Sequence, residues 1–134
     1  MHILRLLLDT HIFLWFISGD KRLPEYMKEN IRDPNNKVYL SVVSVWEAII
    51  KQKLEKLPLP KPAESYLPAQ RERHLISSLP INEACVIRLA ELPPLHKDPF
   101  DRMLICQSIE HDLTIVTVDN AIRNYPMVKL LDQA

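Results

Sequence analysis

A chain of 134 residues, 47% of them hydrophobic and 25% charged, has the size and composition of one ordinary globular domain. Its 17 basic and 17 acidic side chains cancel, which argues against a protein that depends on non-specific attraction to nucleic acid. The single glycine, Gly19, argues against nucleotide cofactors, because phosphate-binding loops need several glycines. We expect a cytoplasmic protein without a membrane span, since no apolar run approaches ~18 residues and no signal-peptide pattern is present.

Strands and helices are predicted to alternate along the chain. In the first half, the hydrophobic pattern predicts a buried strand at 2–8, helices at 10–18 and 24–33, a strand at 37–41 and a helix at 44–57. After a proline-rich connector at 58–62, the pattern predicts a helix at 63–74 that is broken near Pro68, and then a short strand within 75–81. A helix at 82–92, capped by Asn82, and a helix that begins at Asp98 are predicted to follow. The last predicted elements are a strand at 113–118 and an edge strand at 128–131.

This alternation predicts an α/β fold, in which a single domain over residues 1–134 has a mostly parallel central sheet flanked by helices. Functional sites in such folds collect at the carboxyl ends of the strands. Asp9 and Asp119 each follow a predicted strand, while Glu47 and Asp101 lie close to predicted helix starts. The four carboxylates are therefore predicted to converge on one edge of the sheet.

Each of these acids also has a local explanation, because carboxylates cap helix starts and stabilise them by up to ~1 kcal/mol. Ser44 and Glu47 have the spacing of a capping box, and Asp98 precedes Pro99 in the same manner. If the acids do converge, charges ~4 Å apart repel by about 4 kcal/mol at an effective dielectric constant near ~20, which exceeds the contribution of a cap. Convergence therefore predicts protonated carboxylates or a bound cation, and ligands that are all oxygen favour Mg²⁺ or Mn²⁺.

Four segments carry a resemblance to a known family: "LLLDTHIFLW", "SVVSVWEAIIK", "HKDPFDRMLICQS" and "TIVTVD". Together they resemble the PIN domain, and more closely the VapC-type toxins of bacterial toxin–antitoxin pairs that have an H-x-D-P-F-D-R motif. The resemblance extends from Leu6 to about Val128. It implies a PIN fold with an acidic metal site at Asp9, Glu47, Asp101 and Asp119, with Asp98 as a further acid of the motif and Thr10 as the small hydroxyl residue after the first acid.

The resemblance also implies a function. VapC-type toxins are expected to be Mg²⁺-dependent endoribonucleases, with Mn²⁺ as the alternative cation, which cleave RNA phosphodiester bonds by a metal-activated water. They are expected to form homodimers and to be blocked by a small antitoxin protein. Two alternatives stay open: a haloacid-dehalogenase-like phosphoryl-transfer enzyme with Asp9 as nucleophile, although such enzymes need an aspartate where His11 stands, and a non-catalytic binding module with the PIN fold.

Further expectations concern the neighbours of the acids. Arg102 is expected to hold a phosphate, to pair with Glu47 or to lie on the surface. Lys51 follows Glu47 by four residues and is expected to form a helix ion pair with it. His96 is interpreted as a structural residue of a loop. The helix at 10–18 is apolar nearly all round, so we expect it to be buried on every side or completed by another chain, as in a homodimer.

Overall fold

The computed structural model describes residues 3–133, so His2 of the first predicted strand lies outside the described residues. The strands are β1 Arg5–Leu8, β2 Lys37–Ser41, β3 Ser77–Leu79, β4 Thr114–Val116 and β5 Lys129–Leu130. The helices are α1 Thr10–Ser18, α2 Glu25–Arg32, α3 Val42–Lys53, α4 Ala63–Arg73, α5 Glu83–Arg88, α6 Pro99–Glu110 and α7 Asn120–Arg123. Strands and helices therefore alternate as the sequence predicts, with α7 as an additional short helix.

The strands form one sheet in the order β3-β2-β1-β4-β5, and each pair of neighbours within residues 3–133 is parallel. The central strand β1 places Leu6 opposite Val38 on one side and opposite Thr114 on the other. Leu6, Leu7 and Leu8 have no exposed surface, as expected for a strand that is buried on both faces. The predicted α/β fold with a parallel central sheet is confirmed.

Helices cover both faces of the sheet and create two apolar cores. Because side chains alternate along a strand, Leu6 and Leu8 enter one core while Leu7 enters the other. The first core is completed by side chains of α1, α2 and α4, and the second by side chains of α5, α6 and α7. Helix α3 supplies Val43 to the second core and Ala48 to the first, so its start is fixed against both layers.

Helix α1 has the predicted bounds and ends at Gly19, whose φ of 66° is the left-handed conformation that suits glycine at a helix end. Ile12 and Phe13 have no exposed surface, whereas Trp15 and Phe16 are only partly buried. The helix is therefore not buried on every side, because His11 in its first turn is exposed and the side chains of its second half are only partly buried. Neither α1 nor any other helix within residues 3–133 has both the length and the apolar character needed to span a lipid bilayer.

Helix α3 starts earlier than predicted. Its N-cap is Ser41, the last residue of β2, whose hydroxyl accepts a hydrogen bond of 3.0 Å from the Val43 backbone N–H. The predicted capping box of Ser44 and Glu47 is therefore wrong, because both residues lie inside the helix and are buried. Since β2 and α3 join without a loop, the helix begins two residues earlier than predicted, and Glu47 lies in its second turn on the buried side.

Other differences concern helix ends. Helix α4 runs unbroken through Pro68, so the predicted break is wrong. The burial of Ala63 and Leu67 holds the helix against the sheet and offsets the single backbone hydrogen bond that proline removes. Helix α5 is capped by Asn82 as predicted, but it ends at Arg88 instead of reaching residue 92.

Candidate acidic active site

The candidate site lies where the strand order reverses, between the neighbouring strands β1 and β4. Asp9 directly follows β1, and Asp119 follows β4 by three residues. The two strand ends are tied together, since the Asp9 backbone N–H donates to the carbonyl of Val116 at 3.0 Å. In open parallel sheets, ligands bind in the crevice at this kind of reversal.

Asp9 is held at the bottom of this crevice with 4% of its surface exposed. Its Oδ2 accepts a hydrogen bond of 2.7 Å from the Thr117 hydroxyl, which in turn accepts the Asp119 backbone N–H at 3.0 Å. Burial raises the pKa of Asp9, and the nearby carboxylates of Glu47 and Asp119 raise it further, whereas the Thr117 hydrogen bond lowers it. Thr117 therefore links the two acids at the strand ends.

Glu47 reaches the site from the second turn of α3 and is 3% exposed. Its Oε1 lies 2.8 Å from the Thr10 hydroxyl, which lies 2.7 Å from the Ser44 hydroxyl. A hydroxyl has one proton, so Thr10 donates to the carboxylate and accepts from Ser44. Oε2 of Glu47 pairs with Lys51, and the predicted helix ion pair is confirmed. Both oxygens of Glu47 are thus fixed by side chains.

Asp98 and Asp101 have different surroundings although they are one helical turn apart. Oδ1 of Asp98 accepts the backbone N–H groups of Phe100 and Asp101 at 2.8 and 3.3 Å, which makes it the N-cap of α6, as predicted. Asp101 is 8% exposed, and its pKa is raised to about 7: burial is the largest cause, the hydrogen bond with His96 lowers the pKa, and the nearby Asp9, Asp98 and Glu47 raise it. The capping role thus belongs to Asp98, and the side chain of Asp101 faces the other acids.

His96 lies beside the candidate site, although from the sequence it is interpreted only as a structural residue. Its Nε2 lies 2.8 Å from Oδ2 of Asp101. Ligand atoms of His96, Asp101 and Asp119 all lie within 4.8 Å of one another, and among residues 3–133 this is the group of acids and histidines compact enough to hold one metal ion. The signal that could have identified His96 is its position in the same motif, five residues before Asp101.

Arg102 does not pair with Glu47, so that hypothesis is wrong. Its guanidinium donates to the carbonyl of Pro93 at 3.1 Å, to the hydroxyl of Tyr125 at 3.2 Å and to the carbonyl of His96 at 3.3 Å. These contacts tie the segment before α6 to the helix itself. Arg102 therefore fixes the loop that carries His96 by hydrogen bonds to its backbone carbonyls.

The predicted acids share one electrostatic environment, but they do not form one tight group. Asp9 is influenced by Glu47 and Asp119, and Asp101 is influenced by Asp9 and Glu47. Only Asp101 and Asp119 belong to the compact group with His96. Buried carboxylates with raised pKa values gain from a nearby positive charge, and a set made mostly of oxygen ligands suits a divalent cation. The donor set therefore fits the Mg²⁺ or Mn²⁺ that the sequence predicts.

A cavity of about 590 Å³ is lined by two of the acids, Asp9 and Asp119, and by several residues of α1. The rest of its wall is mainly apolar and aromatic, with Trp15, Tyr66 and the segment 57–60, and it also contains the charged pair Asp20 and Arg22. This volume lies in the range of ordinary ligand pockets. The acidic site thus opens into an apolar groove.

The comparison with protein families is decisive for the fold. A model of the family described as PIN domain matches residues 6–127. The chain belongs to the PIN domain family. The matched range agrees with the extent of the resemblance recognised in the sequence, and it includes each of the acids described above.

Individual relatives of this PIN domain are distant. Ribonuclease VapC16 of Mycobacterium tuberculosis is 39% identical over 54 residues, which cover 40% of this chain and only 38% of that protein. Among solved structures, VapBC2 from Rickettsia felis, bound to a DNA fragment of its promoter, is similar with a TM-score of 0.70 and 18% identity, covering 96% of this chain and 98% of that one. VapBC-1 from Haemophilus influenzae has a TM-score of 0.67 and 16% identity with the same coverage. At these identities, the structures share the fold.

Proposed function

We propose that this PIN domain is a Mg²⁺-dependent endoribonuclease that acts as the toxin of a toxin–antitoxin pair. The observation that carries the proposal is the presence of Asp9, Glu47, Asp101 and Asp119 at one strand-order reversal, with the pKa of Asp101 raised to about 7 by burial and by the other acids. Folding alone gives no reason to gather mutually repelling carboxylates. The match to a ribonuclease of the VapC type supports the same substrate class.

Asp9, Asp101 and Asp119 would hold the cation, with Glu47 either holding a second cation or orienting the attacking water. When bound, Mg²⁺ or Mn²⁺ activates a water molecule and neutralises the charge that develops on the scissile phosphate. The chain itself fixes the orientation of the carboxylates: Thr117 holds one oxygen of Asp9, and the Thr10 hydroxyl holds one oxygen of Glu47. These hydrogen bonds orient one oxygen of each acid before a cation binds, although Asp9 and Glu47 lie outside the compact group of His96, Asp101 and Asp119.

The groove beside the acids supports a protein partner. Its mainly apolar wall suits an apolar helix, and the carboxylates of Asp9 and Asp119 in that wall suit a basic side chain, which would satisfy them as a cation does. We therefore propose a small antitoxin with these two features, in line with the VapBC complexes that share the fold. Co-expression with a neighbouring small open reading frame is expected to relieve growth arrest and to yield a co-purifying complex; failure on both counts would contradict this partner.

An RNA cleavage assay tests the enzymatic proposal. We expect purified protein to cut RNA with Mg²⁺ and to lose this activity in EDTA. Asp101→Asn should abolish cleavage, because it removes a ligand, whereas the control Asp112→Asn alters an exposed carboxylate paired with Lys129 and should cleave normally. If folded Asp101→Asn protein cleaves RNA near the wild-type rate, the assignment of Asp101 to the active site is wrong. Sequencing of RNA ends after induction would then identify the target RNA and the position of the cut.

The alternatives from the sequence receive less support. A haloacid-dehalogenase-like phosphoryl transfer needs an acid two residues after the nucleophile, where this chain has the exposed His11. The family match is to the PIN domain. A non-catalytic binding module gives no reason for four carboxylates to lie near one another. The result that would favour this alternative is a protein that binds RNA but does not cleave it with any divalent cation.

A further inference from the structure

His96 presents its two ring nitrogens to different groups. Nε2 faces Oδ2 of Asp101 at 2.8 Å, and Nδ1 accepts the backbone N–H of Lys97 at 3.1 Å. The second contact decides the protonation pattern of the ring, because a nitrogen that accepts a hydrogen bond has a free lone pair and no proton. In the neutral ring, the proton is therefore on Nε2, and Nε2–H donates to the carboxylate of Asp101.

The same contact argues against His96 as a cation ligand. A histidine that binds a metal through one nitrogen normally donates the N–H of the other nitrogen to a carbonyl or carboxylate. Here the other nitrogen, Nδ1, faces a donor, the Lys97 N–H. Binding a cation at Nε2 would leave the ring without either proton or would break the contact with Lys97. In the compact group of His96, Asp101 and Asp119, the two aspartates are therefore the candidate cation ligands, and His96 is a hydrogen-bond donor to Asp101.

The backbone around His96 is fixed on both sides, so the ring is aimed at Asp101 by the fold. The His96 backbone N–H donates to the hydroxyl of Tyr125 at 3.0 Å, and the His96 carbonyl accepts from Arg102 at 3.3 Å. Tyr125 is 1% exposed and its hydroxyl also donates to the carbonyl of Pro93 at 2.8 Å. The loop before α6 is thus anchored to that helix and to the buried Tyr125.

We propose that His96 is a positioning residue, which holds one oxygen of Asp101 through Nε2–H and so orients the carboxylate toward the cation, without binding the cation itself. The inference rests on the proposed metal-dependent function and deepens it. Groups that hold a metal ligand in this way typically strengthen cation binding by about 10- to 100-fold. His96 is accordingly expected to act on the affinity for the cation more than on the rate of cleavage with saturating cation.

Two substitutions separate positioning from ligation. His96→Gln retains an N–H near the position of Nε2 but is a poor ligand, whereas His96→Ala removes both functions. The control is His74→Ala, which alters a partly buried histidine that packs edge-on against Phe16. Binding of Mn²⁺ is measured without RNA by electron paramagnetic resonance, together with thermal unfolding. Cleavage of RNA is measured separately as a function of Mg²⁺ concentration.

We expect His96→Ala to weaken Mn²⁺ binding by about tenfold or more. His96→Gln should stay within about threefold of wild type, and His74→Ala should bind Mn²⁺ normally even if it unfolds at a lower temperature. With saturating Mg²⁺, His96→Ala should recover most of its cleavage rate. A His96→Gln variant as weak as His96→Ala would identify a ligand and overturn the proposal. Unchanged Mn²⁺ binding by His96→Ala would leave only a structural role. Wild-type protein that neither binds Mn²⁺ nor cuts RNA would instead refute the proposed function on which the inference rests.

Discussion

At the scale of single residues, neighbouring side chains of the H-x-D-P-F-D-R motif have different roles. Asp98 binds backbone N–H groups at the start of α6, Asp101 faces the other acids, and Arg102 clamps the preceding loop. The local pattern alone assigns the same capping chemistry to both aspartates. Burial separates them, because Asp101 is 8% exposed and has other carboxylates near it.

The division of labour between the two aspartates can be tested directly. We expect Asp98→Ser to retain most of the stability, since a serine hydroxyl can accept the same backbone N–H groups, and to lose less cleavage activity than Asp101→Asn. Activity is compared at matched fractions of folded protein, as judged by circular dichroism. Equal activity losses in the two variants would mean that both acids serve the catalytic site.

A second test at this scale uses pH. Burial raises the pKa of Asp101 to about 7 in the folded chain, while an unfolded aspartate ionises near ~3.9. Ionisation is then harder in the folded state, so the wild type loses stability as pH rises from about 4 to about 7, by roughly 1.4 kcal/mol per pKa unit. The melting temperatures of Asp101→Asn and of the wild type are therefore measured in EDTA as a function of pH. The variant's melting temperature minus that of the wild type should increase between pH about 4 and about 7 and stay constant above pH about 7. A difference that does not depend on pH would contradict the raised pKa.

At the scale of elements, the junction between β2 and α3 decides how Glu47 enters the site. Ser41 ends the strand and caps the helix, and its hydroxyl also donates to Oε1 of the buried Gln107 at 2.6 Å. Sequence rules cannot choose between Ser41 and Ser44, because either serine can start a helix. The choice depends on Gln107, which is 66 residues away along the chain.

Replacing each serine by alanine measures this difference. Ser41→Ala should cost about 1–3 kcal/mol of unfolding free energy, because it removes a cap and leaves Gln107 without its hydroxyl partner. Ser44→Ala should cost less, since it removes only the hydrogen bond with Thr10 and retains the cap. Urea unfolding provides the two free energies. A larger loss of unfolding free energy in Ser44→Ala than in Ser41→Ala would contradict Ser41 as the cap and favour the capping box of Ser44 and Glu47.

The loop before α6 offers a second test at the element scale. Tyr125→Phe removes the hydroxyl that contacts His96, Pro93 and Arg102, so several polar groups lose a partner. We expect a loss of about 1–3 kcal/mol in the free energy of unfolding and weaker cation binding, as the anchor of His96 is loosened. A control is Tyr26→Phe on α2, which keeps the ring and alters a hydroxyl away from this loop. Equal behaviour of the two variants would contradict the anchoring role of Tyr125.

At the scale of the whole molecule, the sequence predicts the order of strands and helices well, because hydrophobic periodicity is a local property. It also predicts that Asp9 and Asp119 lie together, since both follow parallel strands. It does not predict the role of His96 or the contacts of Arg102. Those depend on Tyr125, which lies 29 and 23 residues away from them along the chain, and a local pattern has no signal for such contacts.

The assembly of the molecule is also open to measurement. The last turns of α1 leave Trp15 and Phe16 partly exposed, and Trp46 on α3 is 54% exposed. Burial of such side chains against a second copy would be favourable. We predict a homodimer in solution, measured by light scattering at tens of micromolar, which is roughly the range where interfaces of ordinary affinity are occupied. A monomer at that concentration would count against the dimer.

The position of β1 in the middle of the sheet has a consequence for the nascent chain. The strand is made before the other strands of the sheet, yet one of its two neighbours is β4, and the hydroxyl that holds Asp9 belongs to Thr117, 108 residues further on. During translation, Asp9 and Glu47 therefore emerge long before Asp101 and Asp119. A nascent chain that has not yet reached α6 lacks half of its acids and the strands β4 and β5. The acidic site therefore becomes complete only after Asp119 has been synthesised.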